Sequence, residues 1–225
     1  LSMFVAVAAS GTGNRVMSSP DGITWTIQSS AANNGWIRVT WAKELGLFVA
    51  VGATGIGNRS MTSPDGINWT ARTTPVDNSW VDVVWAKELG LLVAVANGAG
   101  VGNRVMTSPD GVTWTLRTSA ADNQWNGVCW APSLGLLIAV ADSGANTRVM
   151  TSPDGINWTT RTSSDNHGWL SICWSEELCM AVAVSYTAVG NKVMTAYGCA
   201  YNPLTDFAVP KITAPAGCYA HIFAG

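Results

Sequence analysis

The segment Asn58-Arg59-Ser60-Met61-Thr62-Ser63-Pro64-Asp65-Gly66-Ile67-Asn68-Trp69-Thr70 is one of several near-copies in a chain of 225 residues. It recurs at Asn14 to Thr26, at Asn103 to Thr115 and at Thr147 to Thr159, and a degenerate fifth copy opens at Asn191. Starts near 14, 58, 103, 147 and 191 lie 44, 45, 44 and 44 residues apart. A chain written in one repeating register folds as a repeated unit, in which each copy buries its apolar surface on the next. Residues 1–225 therefore read as a single domain with no linker.

One unit is clearest from Trp36. Ile37, Val39 and Trp41 alternate with polar residues, the period of a strand. Ala42 to Gly46 is a turn ending in glycine. Leu47 to Val51 is a continuous apolar run, as in a strand covered on both faces. A glycine-rich loop, Gly52 to Gly57, leads to a third strand over Arg59 to Thr62. Ser63-Pro64-Asp65-Gly66 is a tight turn: Pro presets the first dihedral, Asp accepts nearby N–H groups and Gly takes the left-handed position. Ile67 to Thr73 is the fourth strand. Four short antiparallel strands in about 44 residues is the pattern of a propeller blade, and a ring hides the strand edges that a linear array exposes.

The expected fold is all-β, a five-bladed β-propeller with four antiparallel strands per blade. Leu1 to Val7 matches Leu45 to Val51, so the first blade lacks its innermost strand. Gly217 to Ala224 matches Gly35 to Ala42, with Phe223 at the place of Trp41. The C-terminal strand is expected to complete the N-terminal blade and close the ring. The first residue is Leu rather than Met, which suggests a chain processed or excised from a longer one.

The turn Ser-Pro-Asp-Gly-x-(Thr/Asn)-Trp resembles the Asp-box of sialidase-type propellers, Ser-x-Asp-x-Gly-x-Thr-Trp, but is one residue shorter between Asp and Gly. The whole unit is similar to repeats of phage-tail, virion and bacterial surface proteins. The resemblance implies that Ser19, Asp21 and Trp25, Ser63, Asp65 and Trp69, Ser108, Asp110 and Trp114, and Ser152, Asp154 and Trp158 are structural. Asp-boxes lie away from the sialidase active site. The residues themselves agree, because each Asp is placed to accept turn N–H groups and each Trp to pack beneath the turn.

Composition narrows the function. Apolar residues make up 48% of the chain and charged ones 12%, so the core is ample. A net charge of -2 argues against nucleic acid. No apolar run reaches the roughly 18 residues of a membrane helix. A glycosidase needs a distinct pair of carboxylates, and the resemblance to sialidases adds an arginine triad and a Tyr nucleophile. Here Arg15, Arg59, Arg104 and Arg148 share one repeat position, Arg72, Arg117 and Arg161 another, and only Arg38 stands apart. Tyr186, Tyr197, Tyr201 and Tyr219 gather in the last repeat, where ring closure accounts for them. No catalytic role, cofactor or metal is expected. His167 and His221 are single. The pairs Asp77-Asn78, Asp122-Asn123 and Asp165-Asn166 supply fewer oxygens than calcium takes. Three glycosylation patterns, at Asn58, Asn68 and Asn157, are discounted where they abut a core Trp. Cys129 and Cys173 read as small buried residues, and Cys199 and Cys218 are available to pair. Arg38 and Asp82 share a position in successive repeats and are placed to form an ion pair.

A ligand is best sought on the loops between second and third strands and between fourth and first. The latter read Asn33-Asn34-Gly35-Trp36, Asp77-Asn78-Ser79-Trp80, Asp122-Asn123-Gln124-Trp125 and Asp165-Asn166-His167-Gly168-Trp169. An aromatic beside amides and carboxylates suits a sugar, whose apolar face stacks on the ring while its hydroxyls meet the polar groups. Equivalent weak sites would act together by avidity. The other reading of Trp36, Trp80, Trp125 and Trp169 is packing between blades. The leading expectation is a non-catalytic module binding glycans or a cell-surface receptor, on a virion or an extracellular protein. The alternatives are a structural propeller contacting other subunits of an assembly, and a degenerate glycosidase.

Overall fold

A computed structural model describes residues 2–98, 102–186 and 192–197. The chain divides into two compact units, residues 1–117 and 118–225. The first unit holds three antiparallel sheets. Strands β1 (Phe4–Val7), β2 (Val16–Ser19) and β3 (Thr26–Gln28) form the first. The second runs β4 (Trp36–Ala42), β5 (Leu47–Gly52), β6 (Ser60–Ser63) and β7 (Thr70–Arg72), and the third β8 (Trp80–Ala86), β9 (Leu91–Ala96), β10 (Val105–Ser108) and β11 (Thr115–Arg117). The second unit holds a fourth sheet, β12 (Trp125–Ala131), β13 (Leu136–Ala141), β14 (Val149–Ser152) and β15 (Thr159–Arg161). Its other sheet is β16 (Trp169–Ser175), β17 (Met180–Ser185) and β18 (Val193–Tyr197). Strands pair in chain order, as a series of hairpins. The four expected strands are found in the second, third and fourth sheets, and three in the first and last among the described residues. The closing segment 217–225, the Cys199 and Cys218 pairing, Tyr201, Tyr219 and His221 lie outside the described residues.

The inner strands of the three four-stranded sheets begin with the same irregularity. Trp36 pairs with Gly52 and Arg38 with Val51, so Ile37 is an extra residue, and the register shifts likewise between Trp80 and Asp82 and between Trp125 and Gly127. Trp169 and Ser171 repeat it in β16. A bulge re-aims the side chain at its start. The tryptophan before each bulge turns into the core: Trp36, Trp80 and Trp125 are 0% exposed and Trp169 is 1% exposed.

No sheet buries both its faces alone. In the first unit Val49 and Val51 of the second sheet pack against Trp80, Leu92, Met106 and Trp114 of the third. Val16 of the first sheet packs against Trp36 and Met61 of the second. In the second unit Ile138, Val140 and Val149 meet Trp169, Ile172, Ala183 and Met194. Within each unit the later sheet thus turns its Trp and Met face toward the sheet before it. In the first sheet the corresponding face is open: Met17 is 39% exposed where Met61, Met106 and Met150 are fully buried, and Phe4 is 57% exposed against 6% for Phe48. Arg38 and Asp82 do form the expected ion pair, at 2.8 Å, with Asp82 buried and also accepting the Val83 N–H.

The Ser-Pro-Asp-Gly turns are built alike. Ser63 Oγ donates to Asp65 Oδ1 at 2.9 Å and accepts the Gly66 N–H at 2.8 Å. Asp65 Oδ1 also accepts the N–H groups of Ile67 and Asn68, at 2.9 and 2.8 Å. The same set recurs around Asp21, Asp110 and Asp154. Gly66 has φ 72°, the left-handed region the turn demands. The Trp that follows folds back on its own turn, the indole of Trp69 donating to Gly66 O at 3.2 Å, as Trp25 does to Gly22 O and Trp158 to Gly155 O. Full burial was expected of these rings. Only Trp114 attains it, while Trp69 and Trp158 are half-buried and Trp25 is 39% exposed. Asn68 and Asn157 donate their side-chain N–H to Asp65 and Asp154, so these acceptor-pattern asparagines are turn ligands.

These carboxylates are held below their ordinary range. Backbone N–H bonds from Thr24 and Ile23 take Asp21 to about 2. In Asp154 burial opposes the shift, yet the Asn157 and Ile156 N–H groups bring it to about 2. Asp65 is lowered by the Asn68 backbone and side chain, and Asp110 is lowered by Thr113 and Val112 despite burial. A folded pKa below that of the unfolded chain means stability present above roughly pH 4 and lost as pH falls toward the folded value. Melting temperature is accordingly expected to hold level from pH 7 to about 5 and to drop steeply from about pH 4 to pH 2. Asp65→Asn should melt lower than wild type at pH 7 and show a shallower acid slope, read by circular dichroism. Trp80→Ala should remove about 3–5 kcal/mol by urea unfolding, since it empties a sealed site. Ile23→Ser, on an exposed tip, should stay within about 0.5 kcal/mol of wild type.

Candidate functional site

The loops between second and third strands and between fourth and first meet at one end of each sheet. In the second sheet, Ala53 to Asn58 is held from several sides. Gly57 N–H donates to Asp77 Oδ1 at 2.6 Å, and Arg59 donates from Nε to Gly55 O at 2.8 Å and from Nη1 to Ala53 O at 2.9 Å. Asn34 Nδ2 donates to Asn58 O at 2.8 Å, and the Gly35 N–H to Thr54 Oγ1 at 2.7 Å. Gly55 sits at φ 114°, where a Cβ would strike the Asn34 amide. This brace forces both the dihedral and the glycine.

The brace is repeated. Gly13 N–H donates to Asn33 Oδ1 and Asn146 N–H to Asn166 Oδ1, each at 2.7 Å. Asn78 Nδ2 reaches Asn103 O and Asn123 Nδ2 reaches Thr147 O. Arg15 and Arg148 clamp Gly11 O and Gly144 O as Arg59 clamps Gly55 O. The second arginine set is equally committed, with Arg72, Arg117 and Arg161 donating from Nε to Thr62, Thr107 and Thr151. These six arginines are structural donors to their own sheets.

These bonds revise the expected ligand site. Trp36, Trp80, Trp125 and Trp169 present no ring face to a sugar, because all four are buried. The indole N–H of Trp36, Trp80 and Trp125 is spent on Ala32 O, Val76 O and Ala121 O. The packing reading of these rings holds, and the stacking reading is withdrawn. Asn78 and Asn123 are buried loop braces. Asp77 keeps one oxygen on Gly57 and stands 3.6 Å from Arg59, with its side chain 39% exposed. Asp122 is exposed, and Asp165 pairs with His167 at 3.1 Å. The fourth-to-first loop before Trp169 is as long as the others, so counting back from the Trp, Asn166 occupies the place of Asp77 and His167 that of Asn78. His167 packs on Trp169, with ring centroids 5.8 Å apart. Alternating residue type could not reveal this, because a propeller-like sheet is covered on both faces and parity does not decide exposure.

What the loops do present is their tips. Ile56, between Gly55 and Gly57, is 90% exposed on a backbone fixed by the bonds above. Its counterparts in the other repeats are Thr12, Val101, Ala145 and Val189. The residues that brace the loop repeat, and the residue displayed on it changes. An aliphatic residue set between glycines in an otherwise polar loop was the available sequence signal. In the second unit Tyr186, half-exposed, donates to Asp142 Oδ2 at 3.2 Å, a pair without a counterpart at Ala53. Among the described residues no group of three or more His, Cys, Asp or Glu is placed to hold a metal ion, and no helix is long and apolar enough to cross a membrane.

No family model matches this chain, and no curated protein matches it. Solved structures do. A GH74 enzyme from Niastella koreensis is 19% identical, with a TM-score of 0.63 over 86% of this chain and 34% of its own. YCF48 bound to a D1 peptide is 15% identical, with a TM-score of 0.58 over 85% of this chain and 58% of its own. A nidogen/laminin complex is 14% identical, with a TM-score of 0.58 over 80% and 66% respectively. The chain spans from about a third to two thirds of the length of these structures. At such identities the likeness concerns the fold alone, and with five sheets of three or four antiparallel strands it makes this an all-β chain of propeller type.

Proposed function

We propose that this chain is a non-catalytic recognition module whose braced loops engage a protein partner, on an extracellular or virion-borne polypeptide. The observation that carries the reading is Ile56, a bare aliphatic side chain held on a rigid loop. A preformed loop spends little entropy on binding, and loops on a rigid scaffold are where recognition concentrates. Variation of the tip from Thr12 to Ile56 to Ala145 over an unchanging brace suits a surface that reads a partner. Two of the similar structures are of complexes, one with a D1 peptide and one of nidogen with laminin. Subunits of a larger assembly belong to the same partner class. A glycan is the weaker candidate once the tryptophans are buried, and the commitment of the repeated arginines to their own loops speaks against a glycosidase.

The proposal includes a five-bladed ring closed by residues 217–225 as the innermost strand of the first blade. Two features of the first unit support it. Among the described residues strand β1 pairs with β2 alone, where β5 and β9 each have two partners, and Phe4, Met17 and Trp25 are more exposed than their counterparts in later repeats. Deleting residues 217–225 should broaden the unfolding transition and lower its midpoint, whereas an unchanged melting curve refutes closure. For recognition, a random peptide display library panned on the folded protein should yield binders that Ile56→Asp weakens about tenfold or more without a change in melting temperature. Signal on a glycan array without peptide enrichment would shift the partner to sugars. Turnover of a fluorogenic glycoside would end the non-catalytic reading.

A further inference from the structure

One backbone bond ties the two loops at this end of each sheet. The Ala53 N–H donates to Gly35 O at 2.8 Å, Asn97 to Ser79 O and Asp142 to Gln124 O at 3.1 Å, and Tyr186 to Gly168 O at 3.2 Å. These bonds align two rows of positions: Gly35, Ser79, Gln124 and Gly168 in one, and Ala53, Asn97, Asp142 and Tyr186 in the other. In the second sheet both members are small. In the second unit the rows carry an amide, a carboxylate and a phenol. Tyr186 is 52% exposed, and Gln124 is exposed as well. The Tyr186 hydroxyl donates to Asp142 Oδ2 at 3.2 Å, while Asp142 Oδ1 is buried with no donor within reach. A hydroxyl seated well on a carboxylate closes to roughly 2.5–2.7 Å. The pair is slack and leaves acceptor capacity over, unlike a bond kept for stability. Gly168 adds no side chain between the two residues. Its counterpart Gly35 lies where a Cβ would stand 3.5 Å from Ala9 O of the sheet before.

We propose that Tyr186, Asp142 and Gln124 form a single binding site for a neutral sugar. A pyranose lays its C–H face on the Tyr186 ring and sets its hydroxyls on the Asp142 carboxylate and the Gln124 amide. Stacking needs an exposed ring, and Tyr186 supplies what the buried Trp36, Trp80, Trp125 and Trp169 withhold. Charge selects the class of sugar. Burial and then the Asp142 carboxylate push the Tyr186 phenol up from its ordinary value, and the Arg148 guanidinium opposes them. The phenol stays protonated, a donor rather than a nucleophile. Arg148, whose Nε is on Gly144 O, offsets Asp142 at this spot, so neither an acidic sugar nor an amine meets an uncompensated opposite charge there. The exposed carboxylates of Asp122 and Asp165 on the neighbouring loops disfavour an acidic sugar further. The site goes beyond the partner reading above and does not depend on it. Ile56 belongs to the first unit and this site to the second.

The test is saturation-transfer NMR on the full chain with the methyl glycosides of glucose, galactose, mannose and N-acetylglucosamine. The methyl glycoside of N-acetylneuraminic acid and N-acetyl-lysinamide serve as the acidic and cationic probes. At least one neutral glycoside is expected to receive saturation on its ring C–H protons at millimolar concentration, and more than either charged probe. Tyr186→Ala should weaken that binding about tenfold, since it removes the stacking face. Tyr186→Phe keeps the ring and should lose only about threefold. Gln124→Ala, at an exposed side chain, should weaken binding with an unchanged melting temperature. Ile56→Asp should bind the glycoside as wild type does, so loss of sugar and loss of peptide are read separately. No transfer to any neutral glycoside, or a stronger response from a charged probe, overturns the proposal. Binding that survives both Tyr186→Ala and Gln124→Ala, or that Ile56→Asp abolishes, places the sugar elsewhere and overturns it as well.

Discussion

Everything in this molecule depends on the inability of one small sheet to bury its own two faces. A sheet of three or four strands has apolar residues on both sides, and only a neighbouring sheet can cover them. The buried tryptophan at each inner-strand bulge answers that need. Trp80 reaches the Val49 and Val51 face of the sheet before it, and Trp169 reaches Val140 and Val149 in the same way. Stability in such an array is a sum of repeats and nearest-neighbour contacts. In the first sheet Phe4, Met17 and Trp25 are more exposed than their counterparts in the later repeats.

The same need explains how polar groups are used. Because both faces of a sheet are occupied, little room is left for unpartnered charge, and the repeated Asp, Asn and Arg side chains serve backbone atoms of their own loops and turns. Asp65 closes the outer hairpin while Asn34 and Arg59 close the opposite loop. Function is left to the few positions the bracing does not claim. Ile56 is one of them, and the Tyr186 and Asp142 pair is another, placed where the repeat symmetry breaks.

Much of the fold was legible in the text of the chain. A period of 44 residues, the Ser-Pro-Asp-Gly turns and the Leu-Gly-Leu-Phe-Val-Ala-Val runs announced hairpin-linked strands, and the structure has them at those residues. Turn chemistry is local, so it survives in a one-dimensional reading, and the shared position of Arg38 and Asp82 foretold their ion pair. The ligand loops were misread for the opposite reason. Asp-Asn-x-Trp contains the ingredients of a sugar site, but whether an indole faces solvent depends on the bulge that redirects it and on the sheet that covers it. Neither is written in residue type. Trp25 was misjudged on the same ground, since it is exposed while its local sequence matches that of buried Trp114.

The sequence by itself determined the repeat, its strands, its turns and the low charge, because these follow from propensity, period and composition. Tertiary structure alone decided which aromatic residues are core, that the arginines are loop clamps, and that Ile56 stands in solvent on a fixed backbone. Burial and bracing are relations between segments distant in the chain, and only their meeting in space sets them.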